Sequence, residues 1–276
     1  MLGDSRRVKT NSFKSGFTLL ELLTVIAIIG VLAAIAVPTM NTFKPNVSAA
    51  AASQLLADIS RARQLAISQR TTVYMVFVPP DFYLDAAFQS LSAAEKDKAK
   101  TLFDKALTGY TFVTTRSLGD QPGRNSPRYL SSWRTLPEGS FIPQQKFALN
   151  TTLWNIQTNT PGGGTQLAFQ INGFSRTKDV PFPAADTPRF SPKQPYAQLP
   201  YIAFNYMGQL TSKKDELIPL ARGSVLFPRD AATKVAQPGQ FSELESPPGN
   251  STNSFNIVHV EWVTGRARIE RQEAAR

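Results

Sequence analysis

The sequence contains no cysteine and a single histidine, His259. The absence of cysteine excludes disulfide bridges and thiolate chemistry, and one histidine leaves too few nitrogen ligands for a typical zinc site. Nothing in the sequence around His259 supplies the nucleophile and acid of a catalytic triad, so a histidine packed within a strand is the preferred interpretation. We therefore expect no enzymatic activity, no cofactor and no metal.

Charged residues are also scarce, at 18% of the 276 residues against 42% hydrophobic residues, which excludes a disordered chain. The 20 prolines and 16 glycines predict many turns and favour β-structure over a helical bundle. The formal net charge of +10 is compatible with binding to nucleic acid or to an anionic surface. A similar basic excess is common on proteins that bind neither.

One long apolar run, from Phe17 to Val37, dominates the N-terminal region. A helix over this run would be about 31 Å long, which matches the hydrocarbon core of a bilayer. The basic residues Arg6, Arg7 and Lys14 precede the run. By the positive-inside rule they hold the N-terminus in the cytoplasm and place the rest of the chain across the membrane.

Three interpretations of this run are open. Ala34-Ile35-Ala36 offers a cleavage site for a secretory signal peptide, and an uncleaved signal anchor fits the same hydropathy. Both leave Glu21 unexplained, because a carboxylate in a lipid-facing helix is costly and usually has a partner. Cleavage between Gly16 and Phe17 would supply one, since the new α-amino group would lie about one helical turn from Glu21.

Residues 14–22, KSGFTLLEL, resemble the class III signal of type IV pilins and type II secretion pseudopilins. The resemblance implies cleavage after Gly16 by the prepilin peptidase, N-methylation of Phe17, and pairing of Glu21 with the N-terminal amine of a neighbouring pilin. It also implies a single-pass protein of the inner membrane, with a periplasmic C-terminal domain that enters a filament on assembly. A mature chain that starts at Phe17 supports this interpretation, and one that starts at Val37 contradicts it.

The corresponding domain prediction has a leader at 1–16, a transmembrane or filament-core helix half at 17–44, and a periplasmic pilin-like domain at 45–276. Pro38 predicts a kink in the helix, because proline cannot donate to the helical ladder. Apolar residues at spacings of three and four then predict an amphipathic helix over about 46–70. The resemblance implies an α+β, pilin-like fold, in which this long N-terminal helix packs on an antiparallel sheet.

The polar residues of the second helix half include Asp58, Arg61 and Arg63, and a solvated helix face is the preferred interpretation of the two arginines. Residues 53–77, SQLLADISRARQLAISQRTTVYMVF, place this helix directly before a strand. That arrangement is similar to the GspH/FimT class of minor pseudopilins. The turn at 133–139, WRTLPEG, resembles the same class.

The remainder of the chain is predicted to be rich in β-structure, with one inserted amphipathic helix at about 89–107. Turn-forming compositions predict loops at 179–200 and 236–254. Strands are predicted at 71–78, 109–115, 152–156, 166–171, 201–206, 224–227 and 256–263.

A G-R-x-R motif, Gly265-Arg266-Ala267-Arg268, falls on the predicted last strand. Arg266 and Arg268 are two residues apart, so they would project from one face, and two guanidinium groups together suit phosphate. FimT-like pilins of DNA uptake carry this motif at a similar place, and the resemblance implies DNA binding. The alternative is an ordinary glycine turn followed by exposed arginines, whose charge is partly offset by Glu270 and Glu273.

These features together predict a minor pilin or pseudopilin, a structural subunit of a type II secretion or type IV pilus-like filament. Its partners would be other pilins through the N-terminal helix, the prepilin peptidase and the inner membrane. A DNA-binding minor pilin for DNA uptake is the alternative function. A membrane-anchored periplasmic protein with no filament role is a more remote one.

Overall fold

The computed structural model describes residues 19–29, 47–116, 119–121, 127–148, 153–159, 164–177, 180–181, 196–253 and 256–271. The chain divides into two compact units, Met1–Pro45 and Asn46–Arg276. In the described residues of the first unit, one helix, α1, covers residues 19–29. The predicted cleavage site at Gly16 and Phe17 and the predicted kink at Pro38 lie outside the described residues.

The described part of the second unit combines helices with antiparallel strands, which confirms the α+β class. Its helices are α2 (Val47–Ser68), α3 (Ala86–Gln89), α4 (Ala93–Ala99) and α5 (Asn250–Asn253), with 3-10 turns at Phe82–Leu84, Lys100–Lys105 and Gln144–Phe147. Its strands are β1 (Val73–Phe77), β2 (Gly109–Thr114), β3 (Arg128–Tyr129), β4 (Arg134–Thr135), β5 (Ser140–Phe141), β6 (Leu153–Asn159), β7 (Thr165–Asn172), β8 (Val180–Pro181), β9 (Tyr196–Ala197), β10 (Tyr201–Phe204), β11 (Glu216–Pro219), β12 (Ala221–Leu226), β13 (Ser242–Glu245), β14 (Asn256–Val260) and β15 (Ala267–Arg271).

Helix α2 forms because alanine and leucine, both good helix formers, dominate its sequence. It ends in a Schellman motif: the N–H of Thr71 donates to the Ala66 carbonyl at 3.2 Å, and the N–H of Arg70 donates to Ile67 at 3.3 Å. Arg70 adopts the left-handed conformation, with φ of 47°, that this motif requires. The chain therefore reverses direction and enters β1 within a few residues.

The main sheet has the order β10-β1-β2-β3, and β4 also pairs with β2. Side chains alternate between its two faces, as strand geometry requires. In β1, Met75 and Phe77 join the core under α2, whereas Val76 joins a second core on the opposite face. Both faces are covered, so β2 is buried at every position.

The second face is covered by residues 82–106, where the sequence predicted one helix at about 89–107. The structure instead divides this segment into α3, α4 and 3-10 turns. Large side chains at Phe82, Phe88, Leu91 and Phe103 are all buried against the sheet. The break falls at residues 90–92, Ser-Leu-Ser, because serine side chains compete with the helical backbone for hydrogen bonds.

The C-terminal half forms two three-stranded sheets, β11-β14-β15 and β13-β12-β5. The strand predicted at 256–263 ends at Val260 and is followed by a turn, with the Gly265 N–H donating to the Glu261 carbonyl at 2.8 Å. The predicted loop at 236–254 contains β13 and α5, which the sequence did not indicate. Strand β13 alternates between exposed and half-exposed positions, so it lacks an apolar signal.

The predicted loop at 179–200 is bounded by β8 and β9, which pair with each other in the order Val180 with Ala197 and Pro181 with Tyr196. The segment between these two strands lies outside the described residues. The strand β11, absent from the sequence prediction, pairs with β14 in antiparallel register. It brings Asp215, the residue before β11, beside His259.

Candidate functional site

Helix α1 presents an exposed apolar surface. Every residue from 19 to 29 is exposed. The large apolar side chains include Leu19, Leu20 and Ile26, at 82%, 74% and 61% exposure. Exposed apolar surface of this extent marks contact with lipid or with other helices. Among the described residues, no helix has both the length and the apolar character needed to cross a membrane.

Two polar side chains interrupt this apolar surface. The hydroxyl of Thr24 donates within the helix, where the carbonyl oxygens of Leu20 and Glu21 both lie at 2.9 Å. Such a back-bonded hydroxyl needs no partner from outside the helix. The carboxylate of Glu21 is on the exposed surface of α1. A charge at this position has to be matched when the apolar surface is covered by lipid or protein.

In the second unit, Asp58 fixes α2 to the sheet. The sequence placed this residue among the polar positions of the helix, but its side chain is only 5% exposed. Its carboxylate accepts hydrogen bonds from the Tyr110 hydroxyl at 2.6 Å and from Arg134 Nη1 at 2.7 Å. The pKa of Tyr110 is raised well above its usual value, mainly by burial and secondly by the hydrogen bond to Asp58. This network sets the rotation of α2 about its own axis.

Arg63 fixes α2 near its C-terminal end, whereas the sequence pattern predicted a solvated face for this residue. Its Nε donates to the carbonyl oxygen of Thr264 at 2.7 Å. The turns at 205–208 and 261–265 meet at this point. A Cβ on Gly265 would lie 1.9 Å from the carbonyl oxygen of Gly208, so only glycine fits there. Gly265 also has a φ of 62°.

The two arginines of the G-R-x-R motif are placed differently from each other. Arg266 lies in the turn before β15, and Arg268 lies on β15 opposite His259. Both are exposed. Arg268 Nε donates to Glu270 Oε1 at 2.6 Å, and this bond lowers the pKa of Glu270 below its usual value. The charge of Arg268 is therefore largely matched, whereas Arg266 makes no ion pair with any side chain that the structure describes.

His259 joins this arrangement from β14. Its Nε2 lies 2.8 Å from Asp215 Oδ2, and its Nδ1 lies 3.4 Å from Glu270 Oε1. The backbone N–H of Trp262 also donates to Asp215 at 2.9 Å and is the main reason why the pKa of Asp215 is lowered. The contacts among Asp215, His259, Glu270 and Arg268 therefore link β11, β14 and β15. Within the described ranges, no three histidine, aspartate or glutamate side chains are grouped to hold a metal ion.

A second polar feature, the buried pair of Lys146 with Glu216, has no counterpart in the sequence pattern. The ammonium of Lys146 pairs with Glu216 and donates to the Asn172 carbonyl at 2.7 Å. It also lies 4.6 Å from the centre of the Phe174 ring. Burial lowers the pKa of Lys146 and raises that of Glu216, and their pairing opposes both shifts. Lys146 and Glu216 are 70 residues apart in sequence, so no local pattern could have indicated the pair.

Comparison with known protein families identifies the prokaryotic N-terminal methylation motif at residues 11–37. This match includes Gly16, Phe17 and Glu21, and it ends beside Pro38. It supports a type IV pilin-like or pseudopilin precursor that is processed by the prepilin peptidase. Neither the search of curated proteins nor the search of solved structures found a match.

Proposed function

We propose that the protein is a minor pilin or pseudopilin of the GspH/FimT class, a structural subunit of a type II secretion or type IV pilus-like filament. The observation that carries the proposal is the methylation motif at residues 11–37. The exposed apolar helix α1 supports it, because that helix needs lipid before assembly and neighbouring helices afterwards. In this role the protein acts by assembly rather than by catalysis, with its second unit in the periplasm.

The first test of the proposal is how the precursor is cleaved. The full chain is produced in membranes together with a prepilin peptidase, and the mature N-terminus is determined by sequencing and intact mass. The expected product starts at N-methylated Phe17, and Gly16→Val is expected to leave the precursor uncut. A mature chain that starts at Val37, or a precursor that is never cut, contradicts the proposal.

In the proposed assembly, Glu21 of one subunit pairs with the N-terminal amine of its neighbour. An unpaired charge buried among apolar helices costs several kcal/mol, so pairing favours correct axial placement of the subunits. Glu21→Ala is therefore expected to be processed normally but incorporated poorly, as measured by sheared-filament fractions. Thr24→Val is the matched control, because the Thr24 hydroxyl is bonded within its own helix. Incorporation of Glu21→Ala at the wild-type level contradicts the pairing.

DNA binding through Arg266 and Arg268 is the second candidate function, favoured by the exposure of both guanidinium groups. Its test is gel retardation of DNA by the full chain, carried out at about 50 mM salt or below, where phosphate contacts are strongest. The variant with both arginines changed to alanine is expected to lose retardation, and Arg61→Ala, which removes an exposed arginine of α2, is expected to keep it. The absence of retardation by the wild-type protein at low salt excludes this function.

A further inference from the structure

A cavity of about 600 Å³ opens on the second unit, away from the G-R-x-R motif. Among the described residues, three segments form its wall: residues 80–83 after β1, the turn at 144–148, and residues 240–241 before β13. The turn is held against β13 because the backbone N–H of Gln144 donates to Glu243 Oε1 at 3.0 Å. The volume of the cavity falls within the range of small-molecule binding sites.

Aromatic rings form the apolar part of the wall, at Tyr83, Phe147 and Phe241. Each of these rings rests on a second ring behind it. The pairs are Tyr83 with Phe103, Phe147 with Phe174, and Phe241 with Phe227, with ring centroids 6.0, 5.5 and 6.3 Å apart. Because the rings are already held in place, a ligand that stacks on them loses little binding energy to side-chain ordering.

Amide groups form most of the polar part of the wall. Gln144, Gln145 and Gln240 line the cavity and are exposed. Within the described part of the chain, their side-chain amides make no hydrogen bond to protein. Each amide offers both donors and an acceptor, so together they can bind a ligand that presents adjacent donors and acceptors.

The charged residues in the wall indicate which class of ligand the cavity can bind. Asp81 is the one charged residue among the described lining residues, and none of them is basic. Arg176 Nη2 lies 3.6 Å from Asp81 Oδ1, which balances the charge while leaving the carboxylate able to accept hydrogen bonds. An anionic ligand is therefore disfavoured, and a neutral ligand that donates hydrogen bonds is favoured.

We propose that this cavity binds a neutral carbohydrate. The C–H face of a sugar ring can stack on Tyr83 and Phe241, while its hydroxyl groups both donate to and accept from the glutamine amides. The same hydroxyls can donate to Asp81. A proline-rich peptide would also stack on aromatic rings, but its backbone has few donors and would make few hydrogen bonds to Asp81 or to the acceptors of the glutamine amides.

The test uses the full chain in a zwitterionic detergent without a sugar headgroup. Maltopentaose, cellopentaose and chitopentaose are titrated to about 10 mM, which detects weak binding, and followed by saturation-transfer NMR and calorimetry. Saturable binding of at least one of them is expected.

The variant Gln145→Ala with Gln240→Ala is expected to bind that sugar about tenfold more weakly or worse, since each lost hydrogen bond contributes about 1 kcal/mol. Both side chains are exposed, so the fold is retained, which thermal unfolding checks. Gln64→Ala, which removes an exposed glutamine of α2 outside the cavity, is expected to bind like the wild type.

Three outcomes overturn the proposal. The first is no saturable binding of any of the three sugars at the highest concentration. The second is equal affinity of the wild type and the double glutamine variant. The third is binding of a ten-residue polyproline peptide by a protein that binds none of the sugars.

Discussion

The buried ion pair between Lys146 and Glu216 allows a stability prediction with a worked magnitude. The Lys146 side chain is 1% exposed and that of Glu216 is 15% exposed. Lys146→Met removes the cation but keeps the length of the side chain. It leaves the carboxylate without its partner and the Asn172 carbonyl without its donor. Breaking a buried pair in this way costs about 3–5 kcal/mol.

Glu216 borders two small cavities of about 250 and 160 Å³, so water can reach it after the substitution. We therefore expect the free energy of unfolding to fall by about 3 kcal/mol, near the lower end of that range. For a domain of this size that corresponds to a fall in Tm of about 6–12 °C, measured by circular dichroism. The double variant Lys146→Met with Glu216→Gln carries no buried charge and is expected to recover much of the loss.

Lys100→Met is the matched control, because Lys100 pairs with Asp97 on the surface, where their side chains are 37% and 74% exposed. Its Tm is expected to stay within about 4 °C of the wild type, since exposed pairs contribute about 1 kcal/mol at most. A Lys146→Met protein as stable as this control would refute the reasoning, because it would show that the pair does not stabilise the fold.

Three further changes probe the domain. Tyr110→Phe removes the hydroxyl that donates to Asp58 and is expected to lower the free energy of unfolding by about 1.5–3 kcal/mol, measured by urea titration; an unchanged midpoint would contradict this. Gly265→Ala places a Cβ 1.9 Å from a backbone oxygen of the adjoining turn and is expected to destabilise the fold by at least about 2 kcal/mol in the same assay. The pKa of Glu270 is lowered by Arg268, so its contribution to stability is present above about pH 4.3 and lost as the pH falls through the folded-state pKa. As the pH falls from about 5 through the folded-state pKa of Glu270, the wild type should therefore lose more Tm than Glu270→Gln.

Local patterns in the sequence were sufficient for the elements whose residues repeat at a regular spacing. The spacing of three and four predicted a helix at about 46–70, where the structure has Val47–Ser68. Runs of β-branched and aromatic residues predicted strands where the structure has β1, β2 and β10. The methylation motif could also be recognised directly, because its residues, 11–37, are contiguous in the sequence. The cleavage, the methylation and the pairing of Glu21 stay predictions.

Where the sequence pattern was weak or irregular, the prediction differed from the structure. The segment at 89–107 has good helix formers, but the structure interrupts it at residues 90–92 and continues it as α4 and a 3-10 turn at Lys100–Lys105. Strand β13 has no buried residue at any of its four positions, so nothing in its composition marks it as a strand. Pairing with β12 decided that β13 is a strand.

The sequence by itself determined the apolar N-terminal segment with its single carboxylate, the second helix and the alternation of the main strands. Each of these depends on residues within a few positions of one another. The tertiary structure alone decided that Asp58 is buried, that Arg63 joins two distant turns, and that Arg268 is paired with Glu270 while Arg266 projects from the turn before β15. It alone assembled the pair of Lys146 with Glu216 and the wall of aromatic rings and glutamines. The physical reason is that burial and hydrogen bonding depend on which distant segments come into contact. A local sequence pattern does not contain that information.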